Sequence, residues 1–264
     1  MGSLAFERRG SGAPLVLLHG MGHRRQAWDA VLDLLAAKRT VYALDLPGHG
    51  ESPPLGGVGT GRSAVEAMAA AIFAFLDQHG LDRPHWAGNS LGGALALQAA
   101  VAGRAASVTG LSPAGFWSGG WEFPYVKMMF HGAELTGAAT RNLIPFLARS
   151  TVGRAVMDAA FVASPARMTS EQAVADAYAF FRARDAVSAV LSERVHFTDV
   201  IPPEVPVTIA WGTKDRLLPP SQARVAQARI PHSTLRTLPG CGHVPMTDNP
   251  RLVAQVILDG SSGA

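Results

Sequence analysis

The 264 residues are 48% hydrophobic and 16% charged, which excludes a disordered chain: there is enough apolar surface to offset the entropy of ordering a backbone of this length. Twenty-three Lys and Arg against 20 Asp and Glu leave a net charge of +3, with no run of five basic residues. That excludes the clustered field a nucleic acid needs for counterion release. The single cysteine, Cys241, excludes an internal disulfide and a Cys-cluster metal site.

The opening MGSLAFERRG has no apolar core of signal-peptide length, and Phe6 stands where N-myristoylation requires Ser or Thr. Pro14–His19 (PLVLLH) reads as a buried strand ending at Gly20. Over Gln26–Ala37, the spacing of Trp28, Val31, Leu32 and Leu35 predicts a helix. Thr40–Leu44 is a second strand, closed by Asp45-Leu46-Pro47-Gly48. Ser63–His79 predicts a longer helix, opened by a Ser63/Glu66 capping box. Its apolar part, Ala64–Leu76, is the longest such stretch and is interrupted by Glu66; a membrane span needs about 20 apolar residues. A soluble, cytoplasmic protein is expected. Pro84–Ala87 is a short strand, followed by GNSLGG and a helix from Leu91 to about Ala102. Ser107–Leu111 is a strand stopped by Ser112-Pro113. Pro206–Trp211 and Ser233–Leu238 are two more, separated by a helix over about Ser221–Ala228. Asn249 and Pro250 supply N-cap and first position of the last helix, ahead of a loose tail, GSSGA.

Strand and helix alternating at this spacing predict an α/β fold: a mostly parallel central sheet with helices on both faces. One stretch breaks the alternation. Residues 114–201 contain no convincing strand but show helical patterns at Thr140–Leu147, Val152–Val162 and Thr169–Arg184, the last with a Thr169/Gln172 capping box. The expected organisation is therefore a core domain of residues 1–113 and 202–264, carrying a helical cap inserted at 114–201. The start of the insertion is dense in large apolar groups, including Phe116, Trp117, Trp121, Phe123, Met128 and Phe130. They read either as the core of a small helical subdomain or as an apolar ceiling over a pocket, since ligands in open α/β sheets sit at the carboxyl ends of the strands. On the second reading Trp117, Trp121, Phe123 and Met128 contact substrate, with Val244.

Gly88-Asn89-Ser90-Leu91-Gly92-Gly93 fits G-x-S-x-G, and it follows a strand and precedes a helix, as that motif requires. A sharp turn there projects the Ser90 hydroxyl over the sheet edge, and the Leu91 N–H lies at a helix N-terminus that favours an anion. A serine nucleophile needs a base, and the base needs an orienting acid. Trp211-Gly212-Thr213-Lys214-Asp215 puts a carboxylate after one late strand, and Gly240-Cys241-Gly242-His243 puts an imidazole after the next. Each of these residues alone has an ordinary structural explanation; their order, Ser, Asp, His, at the ends of three predicted strands does not. A second oxyanion donor is expected from the loop His19-Gly20-Met21-Gly22, at the Met21 N–H, while the His19 side chain is expected to tie that loop down.

These residues give the chain its resemblance to the capped members of the α/β-hydrolase superfamily, from Pro14 to Leu258. The landmarks are HGMG at His19, DLPGHGES at Asp45, GNSLGG at Ser90, WGTKD at Trp211 and GCGHVPMTDNP at Gly240. The resemblance implies Ser90 as nucleophile, His243 as base, Asp215 as its orienter and the Met21 and Leu91 amides as oxyanion hole. It implies a serine hydrolase that cleaves an ester or related acyl bond of a small, largely apolar molecule. Haloalkane dehalogenases and epoxide hydrolases carry Asp followed by Trp at the elbow, where this chain has Ser90 and Leu91. GNSLGG is also similar to the elbow of carbon–carbon hydrolases of ring-fission products, although those often carry an aromatic residue where Val244 stands. That alternative calls for a cation in the pocket, such as Arg182 or Arg184. A third reading is a ligand-binding receptor on the same fold.

Other signals carry less. Gly56–Ser63 nearly matches a phosphate-binding loop, but Arg62 replaces the lysine and no strand precedes it. Cys241 reads as a buried filler. The nine histidines form no tight His/Asp cluster, so neither metal nor cofactor is expected.

Overall fold

The computed structural model describes residues 3–57 and 61–262. Three residues of the glycine-rich stretch, Val58–Thr60, and the two residues at each end lie outside the described residues, and with them part of the phosphate-loop match and of the GSSGA tail.

Seven strands form one sheet: β1 (Phe6–Arg9), β2 (Pro14–Leu18), β3 (Thr40–Leu44), β4 (His85–Asn89), β5 (Ser107–Leu111), β6 (Val207–Gly212) and β7 (Thr234–Leu238), in the order β1-β3-β2-β4-β5-β6-β7. Only β1 runs antiparallel, against β3. β2 pairs in parallel with both β3 and β4, and the remaining neighbours are parallel as well. The helices are α1 (Asp29–Ala36), α2 (Ala64–Gln78), α3 (Leu91–Val101), α4 (Glu122–Thr140), α5 (Ile144–Ala148), α6 (Thr151–Asp158), α7 (Ser170–Arg182), α8 (Arg184–Ser192), α9 (Gln222–Arg229), α10 (Pro245–Asp248) and α11 (Pro250–Gly260).

Both sheet faces are covered, as the continuous apolar runs require. Leu15 and Leu17 point into one buried cluster, with Trp28, Leu32, Leu35 and Val253. Val16 and Leu18 point into the other, with Met68, Phe75 and Trp86, the period-2 alternation of a strand buried on both sides. The helix signals are realised in detail. Ser63 accepts from the Glu66 N–H and Thr169 from the Gln172 N–H, each in a closed capping box. Asn249 accepts from the Leu252 N–H, with Pro250 at the first helical position.

Several elements differ from the sequence expectation, among them the single helix expected over Thr140–Leu147, which is the end of α4, a 3-10 turn at Arg141–Leu143 and α5. β1 was not anticipated: FERR has no apolar alternation, and as an antiparallel edge strand it is only half-buried. α4 was not anticipated because large apolar residues fall on both its faces, buried Val126 and Phe130 against exposed Met128 and Leu135, and Pro124 falls in its first turn, where a missing N–H is harmless. The helix expected over Thr169–Arg184 ends at Arg182, and α8 begins separately at Arg184.

Helices α4 to α8 lie between β5 and β6. Buried Glu122 ties the start of α4 to the core, accepting from the Ser118 N–H at 2.7 Å and from Gln222 Nε2 at 2.9 Å. Arg24 Nε donates to Asp176 of α7 at 2.9 Å. The Ala64 N–H, opening α2, donates to Glu193 beyond α8 at 2.9 Å.

Asp158, at the end of α6, carries a stability consequence. Burial, reinforced by the Asp176 charge, raises its carboxyl to about 7, and its Oδ2 has no hydrogen-bond partner. An unfolded chain ionises this group near pH 4. Between those values the folded state holds a proton that the unfolded state has lost, so this group makes stability fall as pH rises. Asp158→Asn is expected to leave Tm nearly unchanged at pH 4 and to raise it above the parent at pH 7.5. Comparing variant with parent cancels the opposite contributions of His19 and His49, which burial keeps neutral. An equal Tm difference at both pH values would rule the account out.

Candidate active site

The elbow is built from close packing. A Cβ on Gly88 would lie 2.1 Å from the Gly92 carbonyl oxygen, and one on Gly92 would lie 2.2 Å from that of Leu18. Only hydrogen fits at either position when β4 turns directly into α3. Ser90 sits at φ 56°, ψ −116°, a left-handed conformation that costs a side-chain-bearing residue of order 1–3 kcal/mol and persists only where its surroundings enforce it. The end of β5 supplies that enforcement. The Ser90 N–H donates to the Leu111 carbonyl at 2.9 Å, and the Ala114 N–H donates to the Ser90 carbonyl at 3.0 Å.

The acid and the imidazole lie at the ends of β6 and β7. His243 Nδ1 donates to Asp215 Oδ2 at 2.8 Å, and both side chains are buried. Asp215 Oδ1 accepts from the Leu217 and Leu218 N–H groups at 3.0 and 2.8 Å, so both carboxylate oxygens are engaged. The loop that carries it is closed by Trp211, whose indole donates to the Leu218 carbonyl at 3.0 Å. His243 is 2% exposed, and among the described residues its Nε2 has no hydrogen-bond partner, the Ser90 hydroxyl included. With Nδ1 donating to Asp215, Nε2 is the ring nitrogen left to act as an acceptor.

Asn89 was not singled out from the sequence. Its Nδ2 donates to the His243 carbonyl at 2.8 Å and to the Leu111 carbonyl at 3.1 Å, joining the elbow to the histidine loop. Only its place inside the elbow motif could have signalled this. His19 ties its loop down, as expected: Nδ1 donates to the Gly20 carbonyl at 2.7 Å, and Nε2 accepts from the Leu46 N–H at 3.0 Å. Burial, then His49, holds its pKa well below the usual imidazole range. Asp45 is also a loop anchor, accepting from the Arg25 and Glu51 N–H groups. Burial, with the Asp248 charge, pushes the Cys241 thiol up to about 11, which leaves it protonated and unreactive. Among the described residues, no three His, Cys, Asp or Glu side chains gather where a metal ion would bind, and no helix is long and apolar enough to cross a membrane.

Ser90, Met21 and Leu91 border one cavity of about 40 Å³. Among the described residues, the Met21 N–H donates to no protein group, and the Leu91 N–H opens α3, where no intrahelical acceptor exists. The rest of the wall is Ala114, Trp117, Phe123, Val126, Phe130, Val190, Leu191, Val195, Leu217 and Leu218. Of the expected substrate contacts, Trp117 and Phe123 line this cavity; Trp121, Met128 and Val244 do not. Phe123, Val126 and Phe130 follow the inner face of α4 at helical spacing, which turns Met128 outward to 62% exposure, while Trp121, preceding the helix, is 60% exposed. Val244 is buried in the core cluster on the other side. Neither Arg182 nor Arg184 reaches the cavity; Arg184 lies on the surface beside Glu134 and Asp185.

Residues 15–256 match the model of the Alpha/beta hydrolase family. The chain belongs to that family. It is similar, at 30% identity and with 94% of each chain covered, to the pimeloyl-[acyl-carrier protein] methyl ester esterase of Xanthomonas campestris. It is 29% identical to the dihydrolipoyllysine-residue acetyltransferase component of the acetoin cleaving system of Pseudomonas putida; that match takes in 96% of this chain but only 65% of the relative's length. Among solved structures, the fold is shared with a meta-cleavage product hydrolase from Pseudomonas fluorescens IP01, at TM-score 0.74 and 18% identity, covering 97% of this chain and 94% of the other.

Proposed function

We propose that this hydrolase-family chain cleaves esters of short, uncharged acyl groups through an acyl-enzyme on Ser90. The observation that carries the reading is that Ser90, Met21 and Leu91 line a cavity walled by uncharged residues, with a buried, Asp-oriented imidazole on a loop bonded to the elbow through Asn89. In the proposed reaction His243 Nε2 takes the Ser90 Oγ proton as the oxygen attacks the ester carbonyl. The tetrahedral oxyanion accepts from the Met21 and Leu91 N–H groups, and Asp215 stabilises the imidazolium that forms. His243 returns the proton to the departing alkoxide. A water, deprotonated at the same nitrogen, then releases the acid from Ser90. The insertion over 114–201 acts as a cap, contributing Trp117 and, from α4, Phe123, Val126 and Phe130 to the ceiling over the nucleophile.

Two features favour this reading over the carbon–carbon alternative. No cationic side chain lines the cavity, so a carboxylate-bearing ring-fission product has no partner there, and a buried unpaired charge is strongly disfavoured. The volume is also small: about 40 Å³, where a single water needs about 10–15 Å³ on the same measure. That room fits an acyl chain of a few carbons.

A series of p-nitrophenyl esters from acetate to decanoate tests this. kcat/KM is expected to peak at short acyl chains and to fall by tenfold or more toward decanoate, each methylene contributing about 1–3 kcal/mol of discrimination in an apolar pocket. Absence of turnover across the whole series, or an optimum at the longest chains, would overturn the proposal.

A further inference from the structure

The residues flanking His243 are bonded to the helical insertion as well as to the core. Asp248, 5% exposed at the end of α10, accepts three backbone N–H groups. Its Oδ2 takes those of Gly242 at 2.7 Å and Ala163 at 3.1 Å, and its Oδ1 takes that of Ser164 at 2.7 Å. Its backbone carbonyl accepts from the Arg167 guanidinium. Gly242 immediately precedes His243, whereas Ala163, Ser164 and Arg167 belong to the insertion, between α6 and α7. On the other side of His243, the Val244 N–H donates to the Phe161 carbonyl at 2.8 Å. The seam is tight: a Cβ on Gly242 would lie 2.8 Å from Ala163 N and 2.9 Å from Phe161 O.

A carboxylate is the one side chain of this size that offers only acceptors, and here all three neighbours are donors. Asp215 and Asn89 hold His243 from the core; Asp248 holds the residue before it and, with the same two oxygens, the turn of the insertion beside it. We propose that Asp248 is a positioning residue for His243, clamping the Phe161–Ser164 turn and the imidazole-bearing loop into one unit, so that an insertion displaced at this seam carries the imidazole out of place. The inference rests on His243 acting as the base of the proposed hydrolysis.

Asp248→Asn in the full chain keeps size but turns an NH₂ toward one of the three donors, breaking one side of the seam. kcat on a short-chain ester is expected to fall tenfold or more with KM changed less than about threefold, because displacement of a reacting group on the order of 1 Å can cost about 100-fold. The low-field proton resonance of the His243 Nδ1–H, bonded to Asp215, is expected to shift or broaden. This readout is independent of turnover and does not follow from lowered stability alone. Gly242→Ala wedges the same seam from the other side and is expected to give the same pattern, which covers the case of an Asp248→Asn chain that does not fold. A variant with lowered Tm but parental kcat and an unmoved resonance would overturn the positioning role and leave Asp248 a stability residue. Parental activity in His243→Ala would instead refute the underlying hydrolysis reading, whatever the Asp248 variants do.

Discussion

Ser90→Ala is expected to abolish covalent labelling by a serine-reactive fluorophosphonate and to lower kcat on a short-chain ester by roughly 10⁴ to 10⁶. The hydroxyl removed is the proposed site of acylation, and no second nucleophile is placed to substitute: Cys241 is buried, with its thiol pushed up to about 11. Residual turnover would come from binding and the two amides alone. The substitution adds no bulk and leaves the Leu111 and Ala114 backbone bonds of the elbow in place. Relief of the left-handed strain is not available to alanine, so Tm should move little. Equal labelling of parent and variant, or a loss below tenfold, would remove Ser90 from the mechanism.

The second large effect is expected at Asp215→Asn, at about 10⁴ in kcat. An asparagine can keep its oxygen toward the Leu217 and Leu218 amides, which both bond to one carboxylate oxygen. Its NH₂ then faces His243 Nδ1, a donor against the nitrogen that now donates. The ring responds by moving its proton to Nε2, the atom that has to accept from Ser90. The variant should therefore fold, bind ester with near-parental KM and turn over slowly. Activity within tenfold of the parent in a folded Asp215→Asn protein would show that the carboxylate does not set the tautomer.

How legible all this was depended on how local each signal is. The elbow was readable because the glycines at 88 and 92 answer to backbone atoms a few residues away or across one strand. Asp215 was readable because it follows a strong apolar strand and His243 because its loop follows the next strand in the alternation; parallel pairing brings the strand ends to one edge. β1 was hidden because an edge strand exposed on one side needs no apolar pattern. Asn89 and Asp248 were hidden for a different reason. Their partners, the His243 carbonyl and the Gly242, Ala163 and Ser164 amides, are backbone groups with no residue-type signature, contributed by segments far apart in the chain. Trp121 and Met128 show the limit of composition: an aromatic-rich stretch locates a wall without saying which face of its helix is the inner one.

β5 and β6 are adjacent in the sheet, Leu111 opposite Ala210, yet the whole run of helices α4 to α8 separates them along the chain. Closing a loop becomes only slowly harder with its length, about 0.6 kcal/mol for each doubling. Chain closure across that gap therefore costs little whatever length is spliced into it, so what ties the inserted helices to the scaffold is their contacts with it and not their length. Among those contacts are the Glu122–Gln222 and Arg24–Asp176 bonds and the seam at Asp248, which a replacement segment meets only with amide donors of its own.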